Sequence, residues 1–286
     1  MSVWALRGLR EGVVTTRWPR RPDDYAETWR GPATVRLAAD QGPGADPFPS
    51  ADPARSADSS TSADIGAVLE GLCPTGAIRL TDRLRIDHGR CILCGHCVDS
   101  RPDLFTWSAG ATGPAAAALV RRALIVPNAA ETGDAIDATE TVDAVAAARA
   151  ALAARTAALR RSVHIRHVDA GSDGSAEWEI QALLGPVYDV HRLGVFFTAS
   201  PRHADVLLVT GAGAPGMTGP LRTTYEGMPD PKVVIAVGTD AISGGLLREK
   251  LTGVAVHIPV DIWVPGDPPS PFGILNALLV ATGRLR

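Results

Sequence analysis

The run Cys91-Ile92-Leu93-Cys94-Gly95-His96-Cys97 constrains this chain more than any other feature, because its cysteines recur at every third position. Three thiolates at C-x2-C-x2-C spacing can wrap three corners of a cubane iron–sulfur cluster from one tight loop, and Gly95 leaves room for backbone amides to approach the sulfurs. The remaining cysteine is Cys73, followed by Pro74. Four cysteines in 286 residues do not make a disulfide scaffold, and three at this spacing read as metal ligands in a reducing compartment. A four-thiolate zinc site is the alternative, although zinc ligands are usually spaced as paired C-x2-C units. Buried cysteines without a metal are the plainest reading. The spacing favours one [4Fe–4S] cluster on Cys73, Cys91, Cys94 and Cys97. His96 then reads as a solvent-facing residue, since the four-thiolate set is complete without it.

The flanks of the run sharpen this. In the bacterial pattern C-x2-C-x2-C-x3-C-P the fourth cysteine serves the other cluster of a pair. Here Arg101 stands at that position, before Pro102. Upstream, Cys73-Pro74 is the isolated end of an earlier run, and that lone cysteine is the one that crosses over to complete the later cluster. Every ligand of one cluster is present, and the ligands of the other are gone.

A net charge of −3 gives no strong pull towards nucleic acid. No stretch of about 18 apolar residues occurs, so no transmembrane helix is expected, and Met1 to Arg20 lacks the long apolar core of a signal peptide. Residues 1–35 open with Val3, Trp4, Leu6, Leu9, Val13 and Val14 among Arg7, Arg10, Arg17 and Arg20. This reads as an amphipathic segment that docks on a partner subunit or a membrane face. Residues 38–63, rich in Ala, Asp, Ser, Pro and Gly, read as a flexible loop. Short apolar runs at Ala77–Leu80 and Leu84–Ile86 accompany the cysteines. Residues 108–139 are linker-like apart from Ala116–Val126. Residues 140–161 read as a helix, with Val145, Leu152 and Leu159 on one side.

From residue 163 the texture changes. Val163–Ile165, Val206–Val209, Val233–Val237 and His257–Val260 read as strands, with helical stretches between them and a last helix over Ile274–Thr282. Strands alternating with helices predict an α/β domain with a parallel sheet.

Residues 1–107 resemble the two-cluster ferredoxin-like subunit of complex I-type respiratory enzymes and membrane-bound group 4 [NiFe] hydrogenases. The resemblance rests on Gly12-Val13-Val14-Thr15-Thr16-Arg17-Trp18-Pro19, the Cys-Pro end and the C-x2-C-G-x-C loop. Residues 163–286 resemble the small, hydrogenase-type subunit of the same complexes. The matching text is His164–Ser172, Glu179-Ile180, Leu183–Val190, Ala199–Asp205, Met228–Lys232 and Val264–Pro269. The resemblance implies a fusion of two subunits: a docking segment (1–35), a ferredoxin-like α+β domain with one cluster (36–110), a linker and helix (111–161), and a flavodoxin-like parallel-sheet α/β domain (162–286). It also implies a peripheral place on the cytoplasmic face of the cell membrane. The implied partners are a hydrogenase-type large subunit and membrane subunits, and the implied role is one-electron transfer. No complete active site is implied in this chain alone.

The second half departs from that plan. Aligned by the flanking text, the four cluster-cysteine positions of the family are Asp173, Ala176, Asp240 and Asp267 here, so the usual cluster cannot form. The three aspartates follow strands or strand-like runs, and such loops gather at one edge of a parallel sheet. Unpaired, they would raise one another's pKa values. Solvent separation, arginine partners or a hard cation such as Mg²⁺ or Ca²⁺ would each relieve this. Two roles therefore stand side by side: a cluster that relays electrons, or a degenerate subunit in which the cluster is a structural staple or redox sensor. The G-x-G-x-x-G spacing at Gly211–Gly216 follows a strand, but the acidic residue that a dinucleotide fold places about 20 positions on is poorly matched, with Glu226 coming too early. The scattered histidines and serines show no nucleophile-elbow pattern.

Overall fold

A computed structural model describes residues 3–36, 62–80, 84–110, 117–126, 135–157, 159 and 162–285. Most of the flexible loop expected over 38–63, and the linker stretches 111–116 and 127–134, lie outside the described residues.

The second half is built on five parallel strands: β6 (Val163–Asp169), β7 (Val195–Phe197), β8 (Val206–Thr210), β9 (Val233–Val237) and β10 (Ile262–Val264). Their spatial order is β10-β9-β8-β6-β7, the doubly wound order in which the chain steps from one side of its first strand to the other. Every residue of β8 and β9 is buried, which is why these strands read as unbroken apolar runs. Alternate side chains serve opposite faces. Ile165, Leu208, Ile235 and Val264 meet Phe272, Leu275 and Leu278 of the helix Pro271–Ala281. Leu207, Val209, Val234 and Ala236 meet Leu221 and Ile258 on the other face. Each fully buried side chain of this kind contributes about 1.5–3 kcal/mol. Ser270 caps the last helix by accepting from the Gly273 amide at 3.0 Å.

The first half pairs β1 (Arg30–Val35) with β4 (Phe105–Ala109), and β3 (Leu84–Asp87) with both β2 (Ile78–Leu80) and β5 (Ile125–Val126), all antiparallel. Leu69, Ile78, Ile86, Leu104 and Phe105 form its core.

Three expectations need correction. The strand read at His257–Val260 forms instead as β10 at Ile262–Val264, and Val254–Val256 is a 3-10 turn. Pro259 has no N–H to give to a ladder, whereas Ile262, Trp263 and Val264 are all buried. Strand β1 escapes the apolar pattern because Gly31 and Pro32 fall where its register slips. The long helix runs Ala135–Thr156 and stops short of Leu159.

The opening segment also divides. Leu6, Leu9, Val13 and Val14 are exposed. Trp18 is buried against Phe272, with ring centroids 5.8 Å apart, and the Thr16 amide donates to the Val187 carbonyl at 2.8 Å. What Thr15–Trp18 dock on is therefore the second half of the same chain. Among the described residues no helix is long and apolar enough to cross a membrane.

Candidate functional site

The four cysteines line one small cavity together with Ala33, Thr75, Ala77, Ile78 and Ile86. They reach it from two directions. Cys73 ends the turn after the helix Ser62–Gly71, and Cys91, Cys94 and Cys97 come from the loop between the 3-10 turn His88–Arg90 and the helix His96–Ser100. The loop closes through left-handed backbone at Leu93 and Gly95, with φ of 57° and 81°. Gly95 suits this left-handed backbone, and a Cβ there would stand a tight 3.0 Å from the Trp107 ring.

Backbone amides face the sulfurs. Ala77 N–H donates to Cys73 Sγ at 3.2 Å. The amides of Leu93 and Ala33 point at the Cys91 sulfur, and that of Val98 at the Cys97 sulfur. His88 Nε2 lies 3.0 Å from the Ala33 carbonyl, tying β1 to the turn that precedes Cys91. Burial pushes the Cys91 thiol up, with the neighbouring thiols Cys73 and Cys94 adding to the effect. Burial likewise pushes Cys97 up to about 11. Buried thiols raised in this way are poor nucleophiles, and a bound metal would favour their deprotonated form. Among the described residues no set of three or more His, Cys, Asp or Glu converges on a single ion. His96 is exposed and does not line the cavity.

Just after the cysteine loop, Arg101 makes a bidentate pair with Asp103, its Nε 2.9 Å from Oδ1 and its Nη2 2.5 Å from Oδ2. That pairing holds Asp103 below the usual carboxylate range.

The cysteine loop abuts the second half. Thr239 Oγ1 donates to the Cys91 carbonyl at 2.9 Å. Gly89 faces Ile242 and the Arg121 guanidinium so closely that a Cβ would fall within 3.0 Å of both. Arg121 grips Asp87 through two bonds of 2.8 and 2.7 Å.

Thr239 neighbours Asp240, and here the second group of sequence-selected residues comes together. Asp173 follows β6, Asp240 lies in the short helix Thr239–Ser243 after β9, and Asp267 follows β10. Burial raises Asp240, helped by the charges of Asp173 and Glu177. Burial raises Asp267 to about 6, helped by Asp240 and Asp173. Asp173 is lowered instead, because the Ser175 hydroxyl and amide donate to it at 2.7 and 2.9 Å. The carboxylates share one edge of the sheet without meeting at one point. Among the described residues no arginine pairs with them. Ala176 is buried nearby and carries no donor.

Sequence reasoning missed Glu177. Its Oε1 accepts from Thr210 Oγ1, which lies 3.0 Å from His167 Nε2, while its Oε2 is buried without a partner. The signal was its place beside Ala176. The Gly211–Gly216 motif serves packing. A Cβ on Gly211 would lie 2.6 Å from the Gly171 backbone, and one on Gly213 would lie 2.7 Å from the Gly253 carbonyl oxygen.

Residues 174–281 match the family model described as NADH ubiquinone oxidoreductase, 20 Kd subunit. The chain is 38% identical over 128 residues to formate hydrogenlyase subunit 7 of Escherichia coli, covering 44% of this chain and 50% of that protein. It is 42% identical over 128 residues to the probable membrane-bound hydrogenase subunit of Pyrococcus furiosus, covering 44% of this chain and 77% of that one. It is also 42% identical over 121 residues to an uncharacterised protein of Methanocaldococcus jannaschii, covering 42% and 82%. The chain thus spans half the length of the Escherichia coli relative.

Proposed function

Because the chain belongs to the NADH ubiquinone oxidoreductase 20 Kd subunit family, we propose that it is an iron–sulfur subunit of a membrane-associated group 4 hydrogenase or complex I-like assembly. In this reading it fuses a ferredoxin-like domain to a flavodoxin-like small-subunit domain and holds one [4Fe–4S] cluster on Cys73, Cys91, Cys94 and Cys97. The observation that carries it is the single cavity lined by all four cysteines, with backbone amides directed at three of the sulfurs. When bound, such a cluster stores and passes one electron. Cys91 and Cys97 hold it from the buried side, Cys94 stands exposed towards an incoming partner, and Thr239 fixes the loop from behind.

The assembly would place this chain on the cytoplasmic face of the membrane, beside a hydrogenase-type large subunit and membrane subunits. Its relatives named for formate hydrogenlyase and membrane-bound hydrogenase support that setting.

A second reading is favoured by the absence of sulfur at Asp173, Ala176, Asp240 and Asp267. With no centre there to receive the electron, the cluster would act as a staple or sensor in a degenerate subunit. Anaerobic purification with iron and sulfide analysis and EPR tests both readings. About four iron and four sulfide per chain is expected. A reversible reduced-state signal that partner subunits can oxidise supports relay, and a cluster reduced only as the fold is lost supports the staple. A chain that binds one zinc ion and no sulfide sinks the proposal.

A further inference from the structure

One cation of the second half stands against the turn that carries Cys73, and neither the family match nor the sequence motifs draw attention to it. Arg248 follows the 3-10 turn Gly245–Leu247 and reaches across to the turn Cys73–Gly76. Its Nη2, Nε and Cζ lie 3.5, 3.6 and 3.8 Å from where a Cβ on Gly76 would stand. The guanidinium is thus within van der Waals reach of the turn. The turn is the one whose Ala77 amide donates to Cys73 Sγ, and its Gly76 amide donates to the Cys73 carbonyl at 3.1 Å.

The cation is poorly compensated. Its side chain is 29% exposed, and its Nε is buried without an acceptor. The nearest carboxylate, Glu249, lies 4.0 Å away with its side chain 86% exposed, where solvent screens it strongly. Leaving a buried guanidinium N–H unmade is costly, so an arginine kept in this state calls for a compensating negative charge close by. Cysteine thiolates holding a cluster in the adjacent cavity would supply that charge.

Resting on the cluster reading above, we propose that Arg248 is a positioning residue that sets the reduction potential of the group held by Cys73, Cys91, Cys94 and Cys97. Reduction adds one negative charge to the site, and a fixed cation beside the Cys73 turn stabilises the reduced form over the oxidised one. The charge is delivered by the second half to a ligand turn of the first half. The two halves then share one redox property even though the second half has no sulfur ligand of its own.

The test is a potentiometric EPR titration of the full chain, purified anaerobically and reduced with dithionite, in the wild type and in R248Q, R248K and R79Q. Arg79 is an exposed cation of the same first half. R248Q is expected to lower the reduced-to-oxidised ratio at fixed potential by roughly tenfold, which is a midpoint about 59 mV lower for a one-electron couple. R248K and R79Q are expected to stay close to wild type. If R248Q loses its iron, an R248K chain that keeps cluster and midpoint still supports the charge. Iron lost in both Arg248 variants, an unshifted R248Q midpoint, or an equal shift in R79Q overturns it. A loaded wild type with an unshifted variant overturns this inference alone, whereas a wild type that takes up no cluster overturns the reading beneath it.

Discussion

The cysteine cavity and the carboxylate edge lie back to back, joined by the hydrogen bond from Thr239 to the Cys91 carbonyl, yet they handle buried ionisable groups in opposite ways. In the cavity each proton-bearing sulfur is near backbone N–H groups or other thiols, and the nearby Asp87 is clamped by Arg121. At the carboxylate edge, Asp240 and Asp267 have no such partner, and burial raises both, with neighbouring carboxylates adding to the effect. The first region is organised to hold negative charge and the second merely tolerates it.

The largest expected effect separates the regions outright. Cys91→Ala should abolish cluster iron, because binding and folding of such sites share one free energy, while Asp173→Asn should leave the iron content unchanged. Iron analysis and visible absorbance of both variants check this, and equal iron loss in the two would erase the distinction.

A smaller effect is expected at the joint. Thr239→Val leaves the buried Cys91 carbonyl without its donor and should destabilise the chain by about 1–2 kcal/mol, read as a lower urea midpoint with an unchanged slope. No change would mean that the two regions are not mechanically joined there.

The smallest effect belongs to the carboxylate edge. A carboxyl whose folded value is raised stabilises the fold fully only below its unfolded value near 4, and that contribution is lost as pH rises through about 6. Stability should therefore fall between pH ~4 and ~6, by about 1 kcal/mol after allowance for solvent screening. Asp267→Asn should flatten that slope and stabilise the chain at neutral pH. Chemical denaturation at several pH values measures both, and a variant as pH-sensitive as the wild type would remove Asp267 from the account.

The sequence by itself determined the parallel sheet and the cysteine set. Unbroken apolar runs such as Val206–Val209 and Val233–Val237 can only be strands covered on both faces. The spacing Cys91, Cys94, Cys97 restricts the ligand chemistry before any fold is known. The chain order of Asp173, Asp240 and Asp267 behind their strands already placed them at one edge. Other features were hidden because local pattern did not carry them. Strand β1 is interrupted by Gly31 and Pro32 and exists only because β4 pairs with it across some 70 residues. Strand β10 is decided by the burial of Ile262–Val264 against β9, not by the apolar run just before it.

Only the tertiary structure decided how the halves meet. Thr239 on the Cys91 carbonyl, Ile242 on Gly89 and Arg248 on the Cys73 turn are contacts between residues more than 140 positions apart. Each of those side chains is unremarkable in its own neighbourhood. Spacing encodes what a loop can ligate, because a ligand set is local. What tunes that set arrives through packing, where a cation acts by its distance in space and its place in the chain leaves no trace.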